Sequence, residues 1–200
     1  PGAAGSSTTP TPAEAAERTP VHIPQDALVA LFPWEGHAYP QLLAASRVAE
    51  MRRSPGFSLI IDPVVSVSRT EGKVSLLSGT ELRGDVVVLA VGNSTTELAA
   101  EAGVRLPMVP KEVGGAAFGY LAYVRAPGHS LQGPITSDPL NFRPNGDDGL
   151  ILQALDLDPT ANPALVPEPQ IGEELLRRLH ALLPSAEAQL EEVRVGYRVI

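Results

Sequence analysis

The chain has 200 residues, of which 44% are hydrophobic and 19% charged, with a formal net charge of −8. This composition is typical of a folded globular protein with one core or two small ones. The acidic balance without a Lys/Arg run argues against nucleic acid and anionic membranes as partners. No apolar stretch reaches the roughly 20 residues of a membrane-spanning helix, and the absence of cysteine excludes disulfides and thiolate chemistry. We therefore expect a soluble protein of the cytoplasm or an organelle.

The first part of the chain changes from a polar lead to a helix. Residues 1–20 are rich in Ala, Ser, Thr and Pro, which predicts a disordered lead or linker. Because the chain begins with Pro1 instead of Met, the sequence is interpreted as a fragment or a trimmed product. Residues 28–32 predict a short strand, and the apolar stripe of residues 39–53 predicts a helix that Ser54-Pro55-Gly56 ends.

An antiparallel meander is predicted next. Within residues 57–69, Val65 and Val67 alternate with serines, which is the pattern of a half-buried strand. Glu71-Gly72 predicts a hairpin turn, and residues 73–77 predict the returning strand.

The run D-V-V-V-L-A-V-G-N-S at residues 85–94 is the most distinctive stretch of the sequence. An unbroken apolar run bounded by an acidic residue and a glycine predicts a strand buried on both faces of a parallel sheet. A short turn of small residues and a helix closed by Gly103 follow it. Such a corner of strand, turn and helix start is where α/β proteins bind phosphates or cofactors.

The second half predicts another sheet and one helix. Residues 116–125 and 149–157 are strand-like, and residues 143–149 between them have turn composition. Apolar residues at helical spacing over residues 171–182 predict an amphipathic helix. Residues 193–200 begin a further strand.

Local motifs for catalysis are absent from the sequence. It holds no G-x-G-x-x-G, P-loop, nucleophile elbow or H-E-x-x-H, and its four histidines lack the spacing of metal ligands. Asp156 and Asp158 are interpreted as solvated carboxylates at the end of a strand. Arg198 follows an apolar strand and needs an anion, a carboxylate or access to water; from the residues alone, an arginine at the strand edge is favoured over a ligand-binding one.

The order of these elements resembles the FAD-dependent oxidoreductases of the D-amino-acid oxidase type, which include glycine oxidases, sarcosine oxidases and D-amino-acid dehydrogenases. The resemblance covers residues 28–200. Its most specific pieces are residues 85–94, L-P-M-V-P-K at residues 106–111, and G-Y-R at residues 196–198. It implies an α/β (α+β) fold: part of a FAD/NAD(P)-binding Rossmann-like domain with an inserted β-meander, plus a mainly antiparallel substrate-binding sheet with a flanking helix.

The resemblance also implies a domain division. After the lead, residues 21–105 would be the C-terminal part of the FAD-binding domain. Residues 106–192 would be the substrate-binding domain, and residues 193–200 would start the strand that returns to the FAD domain.

Site residues follow from the resemblance as well. A valine backbone at the start of the meander would contact the adenine side of FAD, and the corner after the apolar run would lie near the flavin. Arg198, with Tyr197 beside it, would bind the substrate carboxylate. No catalytic acid–base residue and no metal ligand are expected. The implied cofactor-binding residues are Val64, Val65, Ala90, Val91, Gly92 and Asn93.

The implied function is oxidation of a C–N bond in a small amino acid or secondary amine by hydride transfer to flavin. Two alternatives stay open: a flavin dehydrogenase for a hydroxy acid, and a non-catalytic module that retains the scaffold without the cofactor loop. Because the sequence lacks the glycine-rich loop that binds the FAD pyrophosphate in this family, we predict that the 200-residue chain alone binds FAD weakly and is inactive. The substrate, the electron acceptor and the oligomeric state stay undetermined.

Overall fold

The computed structural model describes residues 7–198, which divide into two compact units. The first unit comprises residues 7–39 and 112–196, and the second comprises residues 40–111 with Tyr197 and Arg198. Each unit contains one antiparallel sheet, so the predicted mixed α/β fold with antiparallel sheets is confirmed. The division into flavin-binding and substrate-binding domains stays a prediction.

The helices and strands are short and alternate along the chain. The helices are α1 (Pro12–Ala16), α2 (Pro40–Met51), α3 (Thr95–Glu101) and α4 (Pro169–Leu182). The strands are β1 (Val64–Ser68), β2 (Lys73–Leu76), β3 (Glu81–Arg83), β4 (Phe118–Arg125), β5 (Asn141–Pro144), β6 (Gly149–Gln153) and β7 (Gln189–Tyr197). Two short 3-10 turns span Gly92–Ser94 and Asp158–Thr160.

The first unit is a four-stranded sheet in the order β5-β6-β4-β7, with α4 packed on one face. Alternate residues of each strand point to the same face, and those toward α4 are apolar and buried. Leu175 and Leu179 of α4 are fully buried against them. The helical spacing of these leucines predicted α4 correctly. The strand residues of this core are Ala122, Val124, Phe142, Leu150 and Leu152.

Polar contacts attach α4 to the rest of the first unit. Arg178 donates to both carboxylate oxygens of Asp156, each at 2.7 Å, to Glu174 at 2.7 Å, and to the carbonyl oxygen of Pro139 at 2.8 Å. Hydrogen bonds from Arg177 and Arg178 lower the pKa of Glu174 to about 2. The hydrogen bonds from Arg178 also lower the pKa of Asp156.

The prediction that Asp156 and Asp158 are solvated carboxylates at a strand end was wrong for Asp158 and for the strand, whereas the Asp156 side chain is 57% exposed. Strand β6 ends at Gln153, before both residues. Asp156 is paired with Arg178, and Asp158 is buried in the second 3-10 turn. The Asp158 carboxylate accepts a hydrogen bond of 2.9 Å from the backbone N–H of Tyr120. A buried carboxylate needs such a donor because burial removes its water.

The structure differs from the predicted disordered lead over the part that it describes. Residues 1–6 lie outside the described residues. Helix α1 begins at a capping box, in which Thr11 and Glu14 bond each other's backbone N–H groups. The strand predicted at residues 28–32 is also shorter than expected, since only an isolated bridge joins Leu31 to Thr8.

The meander of the second unit is confirmed, with β1, β2 and β3 paired in sequence order. Gly72 lies in the predicted turn with a φ of 57°, and the Gly84 N–H donates to its carbonyl oxygen at 3.0 Å. Helix α2 matches its prediction as well. Its apolar stripe is not buried within the unit, because Leu42 and Leu43 are exposed.

The predicted buried strand at residues 85–91 is the main error of the sequence analysis. The structure assigns no strand there, and the side chains of Val86 and Val88 are each 79% exposed. A strand buried on both faces needs paired neighbours and helices above and below it. The described sheet of this unit contains only β1, β2 and β3, so residues 85–91 have no paired neighbouring strands in it.

Other differences concern the first unit. Residues 143–149 were predicted as a turn, but Arg143 and Pro144 belong to β5, an edge strand. Proline is tolerated there because an edge strand leaves some N–H groups without a ladder partner. Strand β7 begins at Gln189, four residues before its predicted start at Val193.

Within residues 7–198, no helix is long and apolar enough to cross a membrane.

Candidate cofactor and substrate site

All eight residues predicted to bind cofactor or substrate fall within the second unit. Val64 and Val65 lie in β1, and Ala90, Val91, Gly92 and Asn93 lie before or within the first 3-10 turn. Tyr197 and Arg198 belong to the same unit. The structure therefore groups two sets of residues that lie about 100 positions apart in the sequence. Their roles stay a prediction.

Strand β1 has an irregularity at the valine pair. Val64 is paired with Leu76 of β2 and Ser66 with Ser75, so the register shifts and no β2 residue is opposite Val65. Val65 is 45% exposed. Such bulges reorient the local backbone and are common beside binding sites. A backbone contact to a ligand, as predicted for this pair, is compatible with this geometry.

The corner at residues 90–93 is an exposed turn that leads into α3. Gly92 has a φ of 59°, which favours glycine, and a Cβ built there would meet nothing within 4 Å. Glycine is thus needed for the backbone conformation and not for close packing. Helix α3 packs against β1 and buries Ala99. The strand that carries the bulge therefore contacts the helix that follows the corner.

The L-P-M-V-P-K segment also packs against α3. Lys111 forms an ion pair of 2.6 Å with Glu97, and the hydroxyl of Thr96 donates to the sulfur of Met108 at 3.1 Å. The hydrogen bond from Lys111 lowers the pKa of Glu97. Two of the motifs that carry the resemblance, residues 85–94 with the following helix and residues 106–111, are therefore structurally linked.

Tyr197 is the last residue of β7, and Arg198 follows it directly. The Tyr197 side chain is 47% exposed. A guanidinium at the end of a strand can bind a carboxylate through two parallel N–H donors. Within residues 7–198, no group of three or more His, Asp or Glu residues could hold a metal ion.

The predicted cofactor residues would contact an FAD molecule only in part. The bulge at Val65 and the open corner at Gly92 would hold its adenine side and its flavin edge, respectively. The sequence contains no glycine-rich turn of the type that binds a pyrophosphate. The predicted roles would thus give the second unit peripheral contacts to the cofactor, and no phosphate contact is assigned to it.

The sheet face of the first unit that lies opposite α4 contains none of the residues that were predicted to bind cofactor or substrate. Tyr123 of β4 and Arg143 of β5 are both paired with Ile151 of β6, so the three side chains form a row on that face. The burial pattern of β5 alternates, because the partly exposed Arg143 lies between buried Phe142 and buried Pro144. Its Pro-Asn-Gly context instead suggested a turn.

One unit thus contains a β-meander and an exposed glycine corner, and the other contains an antiparallel sheet covered by one helix. The comparison with family profiles gives the class of protein. The chain belongs to the family described as FAD dependent oxidoreductase (DAO), which matches residues 4–200. The predicted family and the FAD cofactor are thereby confirmed.

Solved structures of similar fold include three enzymes. An iminodiacetate oxidase from Chelativorans sp. BNC1 has a TM-score of 0.69, with 22% identity over 98% of this chain and 52% of that chain. An L-proline dehydrogenase from P. horikoshii has a TM-score of 0.76, with 17% identity over 96% and 52%. A glycine oxidase from Bacillus cereus ATCC 14579 has a TM-score of 0.66, with 19% identity over 98% and 53%.

These likenesses establish the fold. The chain spans about half the length of each of the three solved structures. No curated protein sequence matches it.

Proposed function

We propose that this chain is part of an FAD-dependent oxidoreductase that oxidises a C–N bond of an amino acid or a secondary amine. Family membership over residues 4–200 is the observation that carries the proposal. The three enzymes of similar fold agree with it, since iminodiacetate, proline and glycine are all amines that carry a carboxylate.

The chain's own residues would bind and orient the two reactants. Bound FAD supplies the acceptor for the hydride that leaves the carbon next to the amine nitrogen. The backbone at Val64 and Val65 and the corner at residues 90–93 would contact the cofactor. Arg198 would hold the substrate carboxylate through two N–H donors, with the Tyr197 ring beside it. Fixing that orientation is the main task of the protein in such a transfer.

The test is anaerobic reduction of bound FAD in the natural protein that contains this chain, followed by its absorbance. We expect bleaching by one or more of glycine, sarcosine, proline and D-amino acids. We also expect Arg198→Ala to raise KM for the carboxylate substrate by about tenfold or more, because a bidentate charged contact is lost. The flavin spectrum and FAD content should stay unchanged.

Other outcomes identify the alternatives. Bleaching by hydroxy acids but by no amine would favour a hydroxy-acid dehydrogenase. A protein that never binds flavin would favour a non-catalytic module. An unchanged KM in Arg198→Ala would remove this arginine from the site and leave the proposed reaction class standing.

A further inference from the structure

Strand β7 is the most exposed strand of the first unit. It is the last strand in the order β5-β6-β4-β7, so within residues 7–198 its outer edge has no strand partner. None of its nine residues is buried, whereas each of the other three strands contains at least two buried residues. A long edge strand presents backbone N–H and C=O groups that can pair with another strand. The outer edge of β7 is therefore a candidate interaction surface.

One face of β7 is already covered by α4. Val193 packs against the core that contains Leu175 and Leu179 of the helix. A Cβ added to Gly172 of α4 would come within 3.2 Å of the Val193 side chain, so helix and strand approach closely there. A partner can therefore reach β7 at its edge and at the face opposite α4.

The two residues beside Val193 carry opposite charges on that other face. Glu192 and Arg194 form an ion pair of 2.5 Å, and the Arg194 guanidinium lies 4.9 Å from the centroid of the Tyr123 ring. The side chains of Glu192 and Arg194 are 49% and 59% exposed. The hydrogen bond from Arg194 lowers the pKa of Glu192, which keeps this carboxylate ionised. The strand thus has a negative and a positive side chain on either side of one apolar residue.

This Glu-Val-Arg order is complementary to itself when two strands run antiparallel. With Val193 opposite Val193 of a second copy, Glu192 of each copy lies directly opposite Arg194 of the other. Opposite charges at facing positions stabilise an antiparallel pair, and like charges destabilise it. The chain has a net charge of −8, which opposes association of two copies in general. The charge order of β7 removes that obstacle locally.

We propose that the outer edge of β7 is a homodimer interface, in which two copies of the chain pair antiparallel about Val193. The two four-stranded sheets would then form one sheet of eight strands. Backbone hydrogen bonds along the edge provide the affinity, and the two Glu192–Arg194 pairs between the copies determine register and orientation. Such a two-fold interface uses the same surface on both copies. The inference goes beyond the proposed function and does not depend on it.

The first experiment compares charge variants of the 200-residue chain by sedimentation velocity. We expect the unaltered chain to dimerise. Glu192→Arg alone and Arg194→Glu alone should each weaken dimerisation about tenfold or more, because each places like charges opposite one another. An equimolar mixture of the two variants should dimerise again, since both facing pairs are then of opposite sign. Both positions are exposed, and circular dichroism checks that each variant is folded.

The second experiment tests the register with a single thiol, because the chain contains no cysteine. Val193→Cys should form an intermolecular disulfide on air oxidation, since facing residues of antiparallel strands have Cα atoms about 4.5–5.5 Å apart, which a disulfide can span. Gln189→Cys is the matched control on the same strand. The proposed register separates its two copies by about 27 Å, so it should stay monomeric in non-reducing electrophoresis.

Several outcomes would overturn the proposal. Dimers that persist in both single charge variants would place the interface elsewhere. Failure of the mixed variants to dimerise would exclude the facing charge pairs, and equal cross-linking at positions 189 and 193 would exclude the register. A monomeric unaltered chain would exclude a second copy as the occupant and favour a strand of a different polypeptide. None of these results depends on flavin reduction, so they are independent of the amine assay.

Discussion

The two units differ in how completely they bury their apolar residues. In the first unit, strand leucines and α4 leucines are fully buried against one another, as Leu152 and Leu179 show. In the second unit, Leu42 of α2 is 68% exposed, and Val86 and Val88 are more exposed still. All predicted cofactor and substrate residues lie in this second, less densely packed unit. The comparison indicates that stability is concentrated in the first unit and the predicted binding groups in the second.

The largest expected effect comes from deleting apolar volume in each unit. We expect Leu152→Ala to lower the free energy of unfolding by about 2–5 kcal/mol, because it leaves a cavity between the sheet and α4. The matched change, Leu42→Ala, removes an exposed leucine and should alter it by less than about 0.5 kcal/mol. Urea unfolding followed by far-ultraviolet circular dichroism measures both. A cost for Leu42→Ala as large as that for Leu152→Ala would contradict the comparison.

A second prediction concerns the turn between β1 and β2 in the meander. A Cβ at Gly72 would lie 2.5 Å from the carbonyl oxygen of Gly84, and the φ of 57° is already unfavourable for alanine. We expect Gly72→Ala to cost about 2–3 kcal/mol through the combined backbone strain and collision. Hydrogen exchange of the β2 amides reports the cost locally.

The matched control is Gly79→Ala in the neighbouring turn. Gly79 also has a positive φ, 88°, but a Cβ there meets nothing within 4 Å. We expect about 1 kcal/mol from the backbone conformation alone. Equal costs at the two glycines would show that the turn at Gly72 relaxes and that its close approach to Gly84 is not required.

The elements that the sequence predicted correctly are those whose signal is local. Helix α4 follows from leucines at helical spacing, and the meander follows from Glu71-Gly72 and the alternation around Val67. The spacing of Thr11 and Glu14 is also that of a capping box, but the composition of the surrounding residues suggested disorder. Local signals were therefore sufficient where a turn or a helix face determines the structure.

The errors concern features that depend on distant partners. The apolar run at residues 85–91 has the composition of a buried strand, yet burial requires neighbours that composition does not specify. Asp158 acquires its role from Tyr120, 38 positions away. Arg143 was predicted to lie in a turn, whereas its pairing with β6 places it in a strand. The candidate residues of the second unit were found through the family resemblance, which encodes such distant relations indirectly.

The prediction with the smallest expected effect concerns the hydrogen bonds of Arg178, which attach α4 to the rest of the first unit. Arg178→Met removes the hydrogen bonds to Asp156, Glu174 and Pro139 and keeps the apolar stem. We expect a loss of about 1 kcal/mol at neutral pH, since the Asp156 side chain is 57% exposed and solvent screens the pair. Arg177→Met, at a more exposed arginine that pairs with Glu174 alone, is the matched control and should leave the unfolding midpoint unchanged.

The same contacts predict how the stability of the chain depends on pH. Because pairing lowers the pKa of Asp156 and Glu174 in the folded chain, their contribution is complete above the ordinary values of 3.8 and 4.5. It disappears as the pH falls through the folded-state values, which is about 2 for Glu174. The stability of the unaltered chain should therefore fall between about pH 5 and pH 2, and Arg178→Met should flatten that decline. Parallel curves for the two proteins would show that Arg178 does not control the titration of these carboxylates.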